Sequence, residues 1–167
     1  MATCILLMGV AGSGKTEIGR LLADRLGFEF LDADAFHPPA NVERMRQGIP
    51  LVDADRWPWL DRLAAEIGDR LAEGRGLVLA CSALARRYRD RLGIGRPGVR
   101  LVHLDGDREL IAARLAGRRG HFMNPSLLES QFALLERPSE EERPIVVDVA
   151  APPPEIVNRI IAALDPA

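Results

Sequence analysis

Lys15 is the only lysine in a chain of 167 residues that otherwise draws its positive charge from arginine. It stands in Gly9-Val10-Ala11-Gly12-Ser13-Gly14-Lys15-Thr16, a full match to the pattern G-x-x-x-x-G-K-[ST]. An ammonium on a flexible stem reaches the β- and γ-phosphates of a nucleotide as a point charge, where the wide arginine fork would not fit a tight loop. The three glycines permit positive φ and close backbone approach. Successive N–H groups can therefore surround a phosphate at the positive end of the helix that follows. The Thr16 hydroxyl is then placed to ligate Mg²⁺, and the loop as a whole points to a nucleoside triphosphate.

A second chemical signal is Asp32-Ala33-Asp34 at the end of the apolar run Phe28 to Leu31. Read as strand, the two carboxylates project the same way into the crevice beyond a parallel sheet. One could hold the water shell of Mg²⁺ while the other takes a proton from an attacking hydroxyl. The plainer alternative is that Asp34 only begins a turn. No aspartate ends the run Leu77 to Cys81, where a metal-binding carboxylate is usual in such loops. Ser82 stands there, so Asp32 is the expected metal partner. Arg114, Arg118 and Arg119 lie in or before Gly117-Arg118-Arg119-Gly120-His121, a basic tip between glycines that reads as a hinged lid. Arg118 is the preferred group to meet charge developing on a γ-phosphate, and Arg114 is assigned to the nucleotide. Arg86, Arg87 and Arg89, beside Tyr88, follow the third apolar run. At least one of them is expected to meet an anionic acceptor, with the others exposed. His37 and His121 could donate hydrogen bonds to a polyol, or serve only the loops that carry them.

These residues need elements to hold them. Apolar runs at Thr3 to Met8, Phe28 to Leu31, Leu77 to Cys81, Val99 to Leu104 and Ile145 to Val149 alternate with stretches of helical periodicity. The pattern predicts an α/β fold, a five-stranded parallel sheet with helices on both faces in three layers. One domain over 1–167 is expected, with a helical insertion at about 36–74 and a lid at about 117–126. A net charge of −2 with interspersed signs argues against nucleic-acid and membrane-surface binding. Cys4 and Cys81 fall inside apolar runs and read as buried thiols of a reducing compartment. The apolar stretch before the loop is too short to span a membrane and has no basic leader, so a cytoplasmic protein is expected.

Beyond the loop, the chain resembles the small P-loop gluconate kinases. The resemblance runs through Leu31-Asp32-Ala33-Asp34-Ala35-Phe36-His37-Pro38, Asn41-Val42-Glu43-Arg44-Met45, Asp53-Ala54-Asp55-Arg56-Trp57-Pro58-Trp59-Leu60, Cys81-Ser82-Ala83-Leu84, Tyr88-Arg89-Asp90, Gly120-His121-Phe122 and Ser130-Gln131-Phe132. It implies the P-loop kinase fold with an acceptor-binding insertion, ATP and Mg²⁺ as cofactors, and phosphorylation of D-gluconate to 6-phosphogluconate by a homodimer. It also implies Lys15, Asp34 and Arg118 as catalytic residues, Asp34 being the base on the primary hydroxyl. His37, Arg56, Ser82, Arg86, His121 and Gln131 are implied at the acceptor. Family members often carry lysine after Cys-Ser-Ala-Leu, where this chain has Ala85-Arg86-Arg87. A shikimate kinase would show a Gly-Gly-Gly turn where Cys81-Ser82-Ala83 stands. A nucleotide-dependent switch is a further alternative, but the Asn-Lys-x-Asp motif of a GTPase cannot exist in a chain whose one lysine is Lys15.

Overall fold

The computed structural model of the chain describes residues 3–117 and 125–164, side chains excepted at 125–127. Five strands, β1 (Cys4–Met8), β2 (Glu29–Asp32), β3 (Leu77–Ala80), β4 (Val99–Asp105) and β5 (Ile145–Asp148), form one parallel sheet in the order β2-β3-β1-β4-β5. β1 is central, with Leu6 opposite Leu79 on one side and Leu101 on the other. Its five residues are all buried, as both faces of a parallel strand must be when helices cover them.

The two-residue alternation of β1 divides the core. Cys4, Leu6 and Met8 face a cluster built with Trp59, Leu60, Leu63 and Ile67 of α3 (Asp53–Glu73) and Tyr88 and Leu92 of α4 (Arg86–Leu92). Ile5 and Leu7 face the opposite cluster, built with Ile18 and Leu22 of α1 (Lys15–Leu26), Ile111 of α5 (Arg108–Ala116) and Ile156, Val157 and Ile160 of α7 (Pro153–Leu164). The expected three-layer α/β architecture is therefore present. Between β2 and β3 lie α2 (Pro39–Arg46) and α3, and α6 (Pro125–Leu134) precedes β5. Cys4 and Cys81 are buried free thiols, with burial pushing both up to about 12, so neither is a nucleophile at neutral pH.

Two expectations need correcting. β2 stops at Asp32, and Ala33–Phe36 is a 3-10 turn, so Asp34 does not continue the strand alternation. The cause is local: the Asp32 carboxylate accepts the Asp34 N–H at 3.0 Å and closes the turn. Arg89, expected among the exposed arginines, is fully buried. Its guanidinium donates to Glu142 and to the Ala83, Leu84 and Glu136 carbonyls, which satisfies the charge inside the core.

Candidate active site

The loop Gly9–Gly14 joins the central strand to α1, which places it where the strand order turns outward on both sides of β1. Gly12 and Gly14 hold φ of 83° and 96°, a region that costs any other residue strain. A Cβ on Gly12 would also lie 2.7 Å from the Leu115 side chain of α5, so the loop is packed from outside as well as folded from within. Lys15 Nζ donates to the Gly9 and Val10 carbonyls at 2.8 and 3.0 Å, which folds the ammonium back over the loop. Ala11 N–H donates to Gln131 Oε1 of α6 at 2.7 Å across 120 residues of sequence. Nothing in the spacing of Ser130-Gln131-Phe132 announces that contact. It ties the helix after residues 118–124 directly to the phosphate loop.

The acidic pair borders this loop. Thr16 Oγ1 lies 3.5 Å from Asp32 Oδ2. Two hard oxygen donors so placed suit Mg²⁺, which takes few protein ligands and keeps waters and phosphate oxygens for the rest. Asp34 lies near Asp32, Lys15 and His37. Burial, reinforced by the Asp32 charge, raises its pKa above the ordinary carboxylate value, while Lys15 and His37 pull the other way.

His37 stacks on the buried Trp59 at 4.1 Å, and Trp59 Nε1 donates to the Ala33 carbonyl. The buried Asn41 amide donates to Asp55 O and so faces His37 Nδ1 with its N–H₂ at 3.3 Å. Burial lowers the His37 pKa and the nearby Arg56 lowers it further, against Asp34. A neutral ring accepting at Nδ1 carries its proton on Nε2, which fixes the tautomer. The Asn41 role was not legible beforehand; a buried asparagine four residues after a histidine is its only signal.

Asp34 feels the charges of Lys15, Asp32 and His37, and His37 those of Asp34 and Arg56. Arg56, Ser82, Tyr88 and Gln131 then line a hollow of about 80 Å³ with Trp59 and Leu134. A larger hollow, about 620 Å³, opens beside Arg96, Arg100 and Arg143; neither hollow is lined by residues 9–16 or by the acidic pair, but only the smaller one includes Gln131, which is bonded to the loop at Ala11. We place the site at the smaller one, because the chemistry converges there. The Ser82 carbonyl accepts the Gly9 N–H at 3.3 Å, and Ala83 beside it holds a φ of 45°.

Of the arginines after β3, Arg86 turns to Ser139 and Glu141. Arg87 and Arg56 instead converge on Asp53 and the Tyr88 hydroxyl. Arg114 is half-buried in the last turn of α5. Arg118, Arg119 and His121 lie outside the described residues, as does most of the expected lid. No group of three or more His, Cys, Asp or Glu side chains suited to a metal occurs among the described residues. No described helix is long and apolar enough to cross a membrane.

The family model described as "Shikimate kinase" matches residues 11–165. A thermosensitive gluconokinase of Escherichia coli K12 is 48% identical, over 84% of this chain and 75% of its own length. The crystal structure of a gluconokinase from Sinorhizobium meliloti 1021 is 47% identical with a TM-score of 0.85, covering 97% of this chain and 91% of that one. An unliganded sugar kinase from Janibacter sp. HTCC2649 is also 47% identical, with a TM-score of 0.92 over 99% of this chain and 95% of its own.

Proposed function

The chain belongs to the gluconokinase family, within the wider shikimate-kinase type of P-loop kinase, and we propose that it transfers the γ-phosphoryl group of ATP to the primary hydroxyl of D-gluconate. The products are ADP and 6-phosphogluconate. The observation that carries the reading is Gln131, which lines the hollow with Arg56 and Ser82 and accepts the Ala11 N–H of the phosphate loop at 2.7 Å. It joins a phosphate-binding loop to a hollow that offers a cation suited to a carboxylate.

Residues 9–16 bind the nucleotide, with backbone N–H groups on the phosphates and Lys15 on the transferring group. Thr16 and Asp32 would hold Mg²⁺, which when bound neutralises charge on the phosphate oxygens. Asp34 accepts the hydroxyl proton, and its raised pKa makes it a stronger base than an ordinary aspartate. His37 donates from Nε2 to an acceptor hydroxyl, and Arg56, Ser82 and Gln131 contact the acceptor from the walls of the hollow. On the sequence pattern alone, Arg118 neutralises the γ-phosphate, Arg114 contacts the nucleotide and His121 the acceptor, all around a closing segment at about 117–126. The protein is proposed to act as a cytoplasmic homodimer.

The test is ADP release measured across D-gluconate, shikimate, glycerate and nucleoside monophosphates. Gluconate should exceed every other acceptor. Highest turnover with shikimate would transfer the assignment to that acceptor, and ADP release indifferent to acceptor would indicate a nucleotide switch.

A further inference from the structure

Asp53, the first residue of α3, is gripped by three side chains from two helices. The Tyr88 hydroxyl donates to its Oδ1 at 2.5 Å, Arg87 Nε donates to its Oδ2 at 2.7 Å, and Arg87 and Arg56 reach Oδ1 at 3.3 and 3.5 Å. Arg56 and Arg87 also donate to the Tyr88 oxygen at 2.9 and 3.2 Å. Tyr88 and Arg56 line the acceptor hollow, and Asp53 and Arg87 join it through their bonds to those two side chains.

This is a carboxylate-binding station, with two guanidiniums and a phenol directed at one carboxylate. The carboxylate it holds in this structure is the chain's own. We propose that Asp53 is an internal stand-in for the carboxylate of the acceptor, which displaces it from Arg87 and Arg56 on binding; the inference rests on the reading of the acceptor as a sugar acid.

The physical case has two parts. Two guanidiniums meeting at one phenol oxygen repel each other, and Arg56, the more enclosed of the two, is costly to leave without an anion. Asp53 removes that cost by pairing with both. An incoming carboxylate then exchanges one set of charge-assisted hydrogen bonds for a like set, so the exchange is nearly balanced. A neutral polyol offers no such exchange and leaves Asp53 in place. Selectivity for acids thus comes from what a neutral competitor fails to displace as well as from what an acid gains. The arrangement also selects Arg87 over Arg86 as the partner of the acceptor carboxylate, because Arg86 is committed to Glu141.

Calorimetric titration tests it, with D-gluconate and D-glucitol, the same carbon chain without a carboxylate, added to the wild type, Asp53→Asn, Asp53→Ser and Arg87→Gln. Removing the internal competitor should tighten gluconate binding by about three- to tenfold in both Asp53 variants while glucitol binding stays weak. Arg87→Gln should weaken gluconate by about tenfold or more. Unchanged or weakened gluconate binding in whichever Asp53 variant folds would make Asp53 an organiser of the arginines and overturn the proposal. Gluconate turnover by the wild type is measured in parallel. Turnover without the Asp53 gain overturns this inference alone, whereas absence of turnover overturns the functional reading on which it rests.

Discussion

Asp34 must give up its proton in surroundings that resist ionisation: burial first, then the negative charge of Asp32. Because only the ionised form is a base, kcat/KM for gluconate should rise with pH through an acid limb lying above the ordinary aspartate value. Asp32→Asn should instead raise the Mg²⁺ requirement, read from Mg²⁺ titrations of turnover, because a neutral amide holds the metal's water shell less well. A requirement equal to that of the wild type would remove Asp32 from the metal. Asp34→Asn keeps the shape and loses the base, and should lower kcat by roughly 10²- to 10⁴-fold with ATP affinity nearly intact. At Lys15 the geometry adds a steric argument to the electrostatic one. Its ammonium folds onto two carbonyls of its own loop, a bend that the planar guanidinium cannot follow. Lys15→Arg should therefore fold normally and lower kcat by on the order of 10²-fold or more, and single-turnover measurement at saturating ATP would separate this from weaker nucleotide binding.

Among the elements, the strands were legible to within a residue at most ends, because buried parallel strands leave short apolar runs and glycines mark the turns. Helix α4 was not. Its sequence, Arg86-Arg87-Tyr88-Arg89-Asp90-Arg91-Leu92, shows little apolar periodicity because one of its three buried positions is the arginine at 89. The signal lay 53 residues away in Glu142, whose pKa burial pushes up but the Arg89 hydrogen bonds and charge hold below the usual glutamate value. The acidic pair was legible in kind and proximity but not in conformation, since a side chain capping its own backbone ended the strand early. Gln131 was named as an acceptor contact, yet its bond to Ala11 depends on how α6 packs and leaves no local trace. Because Arg89 holds the Ala83 and Leu84 carbonyls as well as Glu142, Arg89→Met should strand a buried carboxylate and cost about 3–5 kcal/mol, read from urea unfolding. The stability contributed by Glu142 is present above its unfolded pKa and is lost as pH falls through the lowered folded value, so the gap between wild type and variant should narrow in acid.

At the scale of the whole molecule, sugar-acid binding should appear as thermal protection. Gluconate at a hundred times its Kd adds about 2.7 kcal/mol, which for a chain of this length raises Tm by roughly 5–10 °C. D-Glucitol at the same concentration should leave Tm where it was, and equal protection by both would remove the carboxylate from the recognition argument. Sedimentation should give a species of twice 18.3 kDa if the homodimer reading is right. The strand order carries one more consequence. β1 is synthesised before either of its neighbours, yet it pairs only with β3, beginning at Leu77, and β4, ending at Asp105. Until β3 has been made, Cys4-Ile5-Leu6-Leu7-Met8 is an apolar segment with no sheet to enter, and its second flank stays open until β4 follows. The phosphate loop can therefore be anchored only after more than sixty further residues, and the first strand is the segment most open to misassociation during translation.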